Sequence, residues 1–190
     1  MKELINKVIN KDCLEVMKKI PDNSIDLVLT DPPYPDYYEE EYKYNEEPIK
    51  YLDKFKCKQL IFWTAKEDFI LDYTAIHIWD KKIDCGSYYE RIFERNGQKN
   101  WKIFRQHPPF YTFSKTSDLN MGHKSQKPLK LMEKLVLENS KEGDIILDPF
   151  LGSGTTAVAC QNLKRNFIGI EIDKKYCEIA KQRLRQQTLI

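Results

Sequence analysis

Ile145-Ile146-Leu147-Asp148-Pro149-Phe150-Leu151-Gly152-Ser153-Gly154-Thr155-Thr156 opens as an apolar run, stops at an acid and a proline, and passes through two glycines into a helical pattern. Residues 145–148 read as a strand, 155–163 as a helix, and 166–173 as a second strand that ends in the acids Glu171 and Asp173. Strand, glycine loop, helix and strand together are the repeating unit of a nucleotide-binding α/β sheet. The glycines let a ligand approach the backbone, and the first N–H groups of the helix are free to meet it. Glu171 is placed to accept from two ribose hydroxyls. A dinucleotide would prefer a third glycine in the Gly-x-Gly-x-x-Gly spacing, and residue 157 is alanine. Asp148 can meet an ammonium group. The set favours an amino-acid nucleoside, S-adenosylmethionine, over NAD.

Nearer the N-terminus, Leu27-Val28-Leu29-Thr30-Asp31-Pro32-Pro33-Tyr34 is a second apolar strand cut off by an acid and two prolines. Proline cannot donate to a sheet ladder and disfavours helix in the residue before it, so the chain leaves the sheet at Asp31 in a stiff, extended turn. That turn holds a carboxylate, a proline carbonyl and an aromatic face. Two acceptors and a ring suit an exocyclic amine on a flat heterocycle.

The rest of the chain fills in around these two turns. A strand is expected over 4–9 and a helix over 13–20, with Asp12 as its N-cap. The strand over 25–30 leads into the Asp31 turn. Residues 35–44 are rich in acids and tyrosines and read as a loop. Helices are expected over 48–55 and 66–71, and strands over 59–63 and 74–79, with His77 structural inside the latter. An amphipathic helix over 129–139 and a closing helix over 174–187 complete the pattern. Residues 80–127 interleave Lys and Arg with aromatics, a mixture suited to phosphate contact and base stacking.

With 190 residues and a formal net charge of +2, the chain is sized for one α/β domain (1–190) and is not basic enough overall to declare a nucleic-acid partner. Five scattered cysteines form no Cys-x-x-Cys pair, so neither a disulfide framework nor a metal site is expected. There is no apolar signal region and no run long enough to span a membrane, so the expected location is cytoplasmic.

Asp31-Pro32-Pro33-Tyr34, His123-Lys124-Ser125-Gln126-Lys127-Pro128 and the segment Asp148 to Thr156 together resemble the amino-group DNA methyltransferases. The catalytic motif precedes the cofactor loop, as in the permuted β class that methylates adenine N6 or cytosine N4. The resemblance covers about residues 8–34 and 107–187. It implies a Rossmann-like, mostly parallel sheet with helices on both faces and one antiparallel strand. By the same resemblance Asp31, Pro32, Pro33 and Tyr34 are catalytic, with Asp31 also bordering the cofactor. Asp148, Phe150, Gly152, Ser153, Gly154 and Thr155 would hold the methionine end of S-adenosylmethionine. Glu171 would lie at the ribose and Asp12 and Cys13 at the adenine, while Asp173, His123, Ser125 and Lys127 would add cofactor contacts.

The implied reaction is methyl transfer to adenine N6 of a base flipped out of DNA, leaving S-adenosylhomocysteine. N4-cytosine methylation is the alternative, ahead of an RNA methyltransferase or a non-catalytic binding module. One departure from the family is large: the target-recognition region, about residues 80–122, is minimal or absent. A homodimer is expected on that account, because one small core offers little surface to hold a duplex.

Overall fold

The computed structural model describes residues 1–35, 44–81, 89–99, 101–105 and 126–187. Among the described residues eight strands form one sheet: β1 (Lys7–Asn10), β2 (Leu27–Thr30), β3 (Lys58–Trp63), β4 (Ala75–Asp80), β5 (Tyr89–Arg95), β6 (Ile103–Arg105), β7 (Ile145–Asp148) and β8 (Asn166–Glu171), in the order β1-β8-β7-β2-β3-β5-β4-β6. Only β5 runs antiparallel to its neighbours, β3 and β4. This is the mostly parallel α/β sheet expected from the sequence.

The buried strands alternate between two apolar layers. Leu27 and Leu29 face one way, with α3 (Leu129–Asn139), α4 (Thr155–Asn162) and α5 (Lys174–Gln187) on that side. Val28, Ile61 and Leu147 face the other, toward α1 (Cys13–Met17) and the turn of 3-10 helix at Tyr51–Lys54, which follows α2 (Glu47–Lys50). Covering both faces is what lets a strand such as β2 be buried throughout and apolar from Leu27 to Leu29, since neither face meets water.

Two glycines set how closely the Gly-rich loop packs. A side chain on Gly169 of β8 would strike Leu151 Cδ2 at 2.6 Å. Gly154 has φ +85°, and a Cβ there would lie 2.7 Å from the Ala180 Cβ of α5. The loop therefore rests against β8 and α5 with no room for anything larger.

Several sequence expectations need correction. The helix expected over 66–71 does not form. Backbone carbonyls there face side chains instead: Trp63 Nε1 donates to Glu67 O at 3.1 Å and to Asp68 O at 3.2 Å, and Arg91 Nη2 donates to Thr64 O at 2.7 Å. Phe69 is drawn onto Phe93, with ring centroids 4.2 Å apart. Strands β5 and β6 lie in the segment read as a basic patch.

Within that segment five of the described basic side chains are engaged by other parts of the fold. Lys81 pairs with Glu90, Arg95 with Asp53, Lys102 with Glu138 and Lys127 with Asp31, while Arg91 holds Thr64 O. His77 is structural, buried with Nε2 2.8 Å from Glu94 Oε2 while Nδ1 accepts the Lys102 N–H. Among the described residues no helix is long and apolar enough to cross a membrane, and no cluster of His, Cys, Asp or Glu could hold a metal ion.

Candidate active site

Parallel pairing of β2 with β7 sets the carboxyl ends of those strands side by side, where the chain order reverses: outward from β7 lies β8, and outward from β2 lies β3. Open α/β sheets bind ligands in the crevice outside such a point. A cavity of about 540 Å³ opens there, within the range of small-molecule sites. Asp12, Cys13, Gly152 and Glu171 line it, and so do Asp31, Pro32, Pro33 and Tyr34. The two turns picked out in the sequence thus share one chamber.

On the glycine-loop side, Glu171 Oε2 accepts the Gly152 N–H at 2.8 Å, and Oε1 accepts the Asp173 N–H at 2.8 Å. Each oxygen keeps a lone pair for a ligand hydroxyl. Burial pushes the Glu171 carboxyl above its ordinary range. Asp12 caps α1, accepting the Leu14 N–H at 2.8 Å. Burial, and after it the Asp12 charge, drives the Cys13 thiol up to about 12, so it carries no thiolate nucleophile at neutral pH.

Gly154 and Asp173, expected among the cofactor contacts, are not among the residues that line the cavity. Gly154 is the left-handed cap of α4, and Asp173 Oδ1 accepts the Lys175 N–H at 2.7 Å in the first turn of α5. Both shape the loop ends, because a helix start leaves backbone groups that must be met locally.

Asp148 joins the two turns. Its Oδ1 accepts from Thr30 Oγ1 at 2.7 Å and from the Phe150 N–H at 3.1 Å, and Oδ2 accepts from Thr156 Oγ1 at 2.6 Å. Thr30 is the residue before Asp31, and Thr156 lies in α4 just beyond the glycines. Burial raises the Asp148 carboxyl from 3.8 to about 6, against those three hydrogen bonds, which lower it. Oδ2 keeps one acceptor position, and Asp148 is among the residues that line the cavity.

On the other side, Tyr34 Oη donates to Asp31 Oδ1, and Lys127 Nζ donates to Asp31 Oδ2. Lys127 also lies 3.2 Å from Glu90 Oε2 on β5 and 5.1 Å from the centroid of the Phe62 ring. Desolvation alone would lower the Lys127 ammonium; the Asp31 and Glu90 charges overcome it and raise it. Lys127, expected among the cofactor contacts, is thus drawn to the acid–proline turn by two carboxylates. The Tyr34 ring sits edge-on to Trp63, with centroids 5.5 Å apart. His123 and Ser125 lie outside the described residues.

Sequence reasoning passed over Glu90, which lies in the segment read as a basic patch. It also passed over Arg183 of α5, which is buried and donates from Nη1 to Ser153 O at 2.7 Å and to Thr155 Oγ1 at 3.1 Å. Burial lowers this guanidinium to about 10. No local motif marks it; only its position beneath the loop does.

The chain matches a family described as DNA methylase over residues 57–182. It is 27% identical to the Type II methyltransferase M.HinfI of Haemophilus influenzae, with 97% of this chain and 69% of that protein aligned. It is 28% identical to the Type II methyltransferase M.HpaI of Haemophilus parainfluenzae, over 94% of this chain and 74% of that one. The first alignment runs to 250 positions against a chain of 190 residues, so M.HinfI carries internal sequence with no counterpart here. Among solved structures, the M1.HpyAVI–SAM complex superposes with a TM-score of 0.66 at 26% identity, covering 93% of this chain and 98% of that one.

Proposed function

This chain belongs to the N6/N4 DNA methylase family, and on that premise we propose that it transfers a methyl group from S-adenosylmethionine to the N6 amine of adenine at specific sites in DNA. The observation that carries the reading is the shared chamber: Gly152 and Glu171 open onto the same cavity as Asp31 and Tyr34. A bound nucleoside cofactor and a target amine can therefore meet.

The cavity residues fit the cofactor. Glu171 keeps acceptor positions for ribose hydroxyls, Asp12 and Cys13 border the space for the adenine, and Asp148 keeps one acceptor for an ammonium. Bound there, S-adenosylmethionine supplies an electrophilic methyl group and departs as the neutral thioether S-adenosylhomocysteine.

The protein's own part is to make a poor nucleophile adequate. The amine lone pair is delocalised into the ring of the base. Acceptance of its N–H protons by Asp31 and the Pro32 carbonyl favours the pyramidal form, in which the lone pair is available. Fixing donor and acceptor in line contributes the rest through positioning. A base inside a duplex cannot reach the cavity, so it flips out, with the Tyr34 ring as its stacking platform. The short stretch between the sheet and Lys127 leaves little sequence for target recognition. A homodimer would widen the surface that meets the duplex.

Incubating the protein with labelled cofactor and duplex DNA, then digesting to nucleosides, tests this directly. N6-methyladenine is expected. Methylcytosine would redirect the reading to N4 chemistry, and label confined to RNA or no label at all would end it. An Asp31→Ala variant should bind cofactor within about threefold of wild type yet transfer methyl at least a hundredfold more slowly. Full activity in that variant would remove the amine-acceptor assignment.

A further inference from the structure

Four charged side chains form an unbroken alternating line into the cavity. Lys81 Nζ meets Glu90 Oε1, Glu90 Oε2 lies 3.2 Å from Lys127 Nζ, and Lys127 Nζ meets Asp31 Oδ2. Glu90 and Lys127 are nearly shut off from water, at 15% and 8% side-chain exposure. Glu90 comes from the antiparallel strand β5, Lys127 from the segment before α3, and Asp31 from the turn after β2. The sequence holds them far apart, and none of the motifs read above includes Glu90. Ion pairs this dry are weakly screened, so the net charge of the line matters to whatever reacts beside it.

We infer that Glu90 is a positioning residue for methyl transfer: it holds Lys127 against Asp31 and offsets one lysine charge in the line that ends beside the target amine. The inference rests on the reading of Asp31 as the amine's acceptor. In the transfer the amine lone pair forms the N–C bond while the C–S bonding pair returns to sulfur. Positive charge thereby passes to nitrogen, until one N–H proton leaves toward Asp31 and then solvent. Loss of Glu90 removes one negative charge from this line, so the surroundings of the amine become more positive by one charge beside a nitrogen that is itself becoming positive. The same loss frees Lys127 from its second anchor, so the Asp31 carboxylate is less firmly aimed.

The test is the single-turnover methyl-transfer rate of three variants, with cofactor affinity and melting temperature measured alongside. Glu90→Gln should slow transfer by about tenfold or more, with cofactor Kd unchanged within about threefold. Adding Lys81→Met to Glu90→Gln cancels the excess charge, and should recover several-fold of the lost rate although a further native contact is gone. Lys81→Met alone removes one positive charge from the line and should raise the rate above wild type, a readout that survives if Glu90→Gln does not fold. A merely structural Glu90 would give a double variant slower than the single one and a Lys81→Met variant slower than wild type, and either result overturns the inference. If Glu90→Gln transfers at full rate while Asp31→Ala is inactive, the Glu90 inference fails and the acceptor reading stands. If Asp31→Ala is active, the acceptor reading fails first.

Discussion

Replacing Asp148 with asparagine should make the protein more stable at neutral pH and less so in acid. The carboxyl is 4% exposed, and its folded value of about 6 lies above the ordinary 3.8. The folded chain therefore holds this proton more tightly than the unfolded chain does. Its contribution to stability is complete below about pH 4 and is lost as pH rises through about 6. At 1.36 kcal/mol for each tenfold change in proton affinity, the loss comes to about 3 kcal/mol by pH 8.

Asparagine does not ionise, so it escapes that loss. It still accepts from Thr30 and Phe150, but it must donate to Thr156 where the acid accepted, at a cost of about 1 kcal/mol. Urea unfolding of wild type and Asp148→Asn in matched buffers from pH 4 to pH 8 would measure the difference. The variant should begin about 1 kcal/mol less stable and end about 2 kcal/mol more stable. Titrating groups that do not sense the Asp148 charge cancel in the subtraction. A difference that stays flat across this range, or runs the other way, would refute the account of Asp148 as a carboxylate strained by burial. Saturating S-adenosylmethionine should narrow the swing, because an ammonium at the remaining acceptor position offsets the cost of the buried charge.

Two further substitutions probe the loop. Gly154→Ala puts a side chain at φ +85° and 2.7 Å from Ala180 Cβ, which should cost about 2–4 kcal/mol by urea unfolding, and weaken cofactor binding as the loop lifts from α5. Arg183→Met removes the hydrogen bonds to Ser153 and Thr155 while keeping the buried stem. Isothermal titration should show cofactor binding at least tenfold weaker, with about 2–3 kcal/mol lost from stability. An unchanged Kd would mean that Arg183 only fills space.

The second half of the chain was legible because its signals are local. The helices at 129–139 and 174–187 and the strand at 145–148 have the bounds expected from apolar spacing. The glycine loop stands between a strand and a helix because a turn that tight needs residues with little or no side chain. The proline turn after Thr30 was equally plain, since proline restricts backbone wherever it stands. The middle was not legible. β5 carries Glu90, Arg91, Glu94 and Arg95, four charges in a seven-residue strand, and charge density ordinarily signals a solvated surface. Glu94 and Arg95 are buried and Glu90 and Arg91 half-buried because Lys81, Lys127, Thr64, Asp53 and His77 meet them from other elements, and no window of sequence contains both halves of such pairs. Residue spacing alone therefore determined the two turns and the chemistry each could perform. That they face one chamber, with Asp148 bonded to both and Glu90 behind Lys127, was decided by the parallel pairing of β2 with β7 and the antiparallel insertion of β5. Pairing between strands so distant in the chain depends on burial summed over the whole sheet.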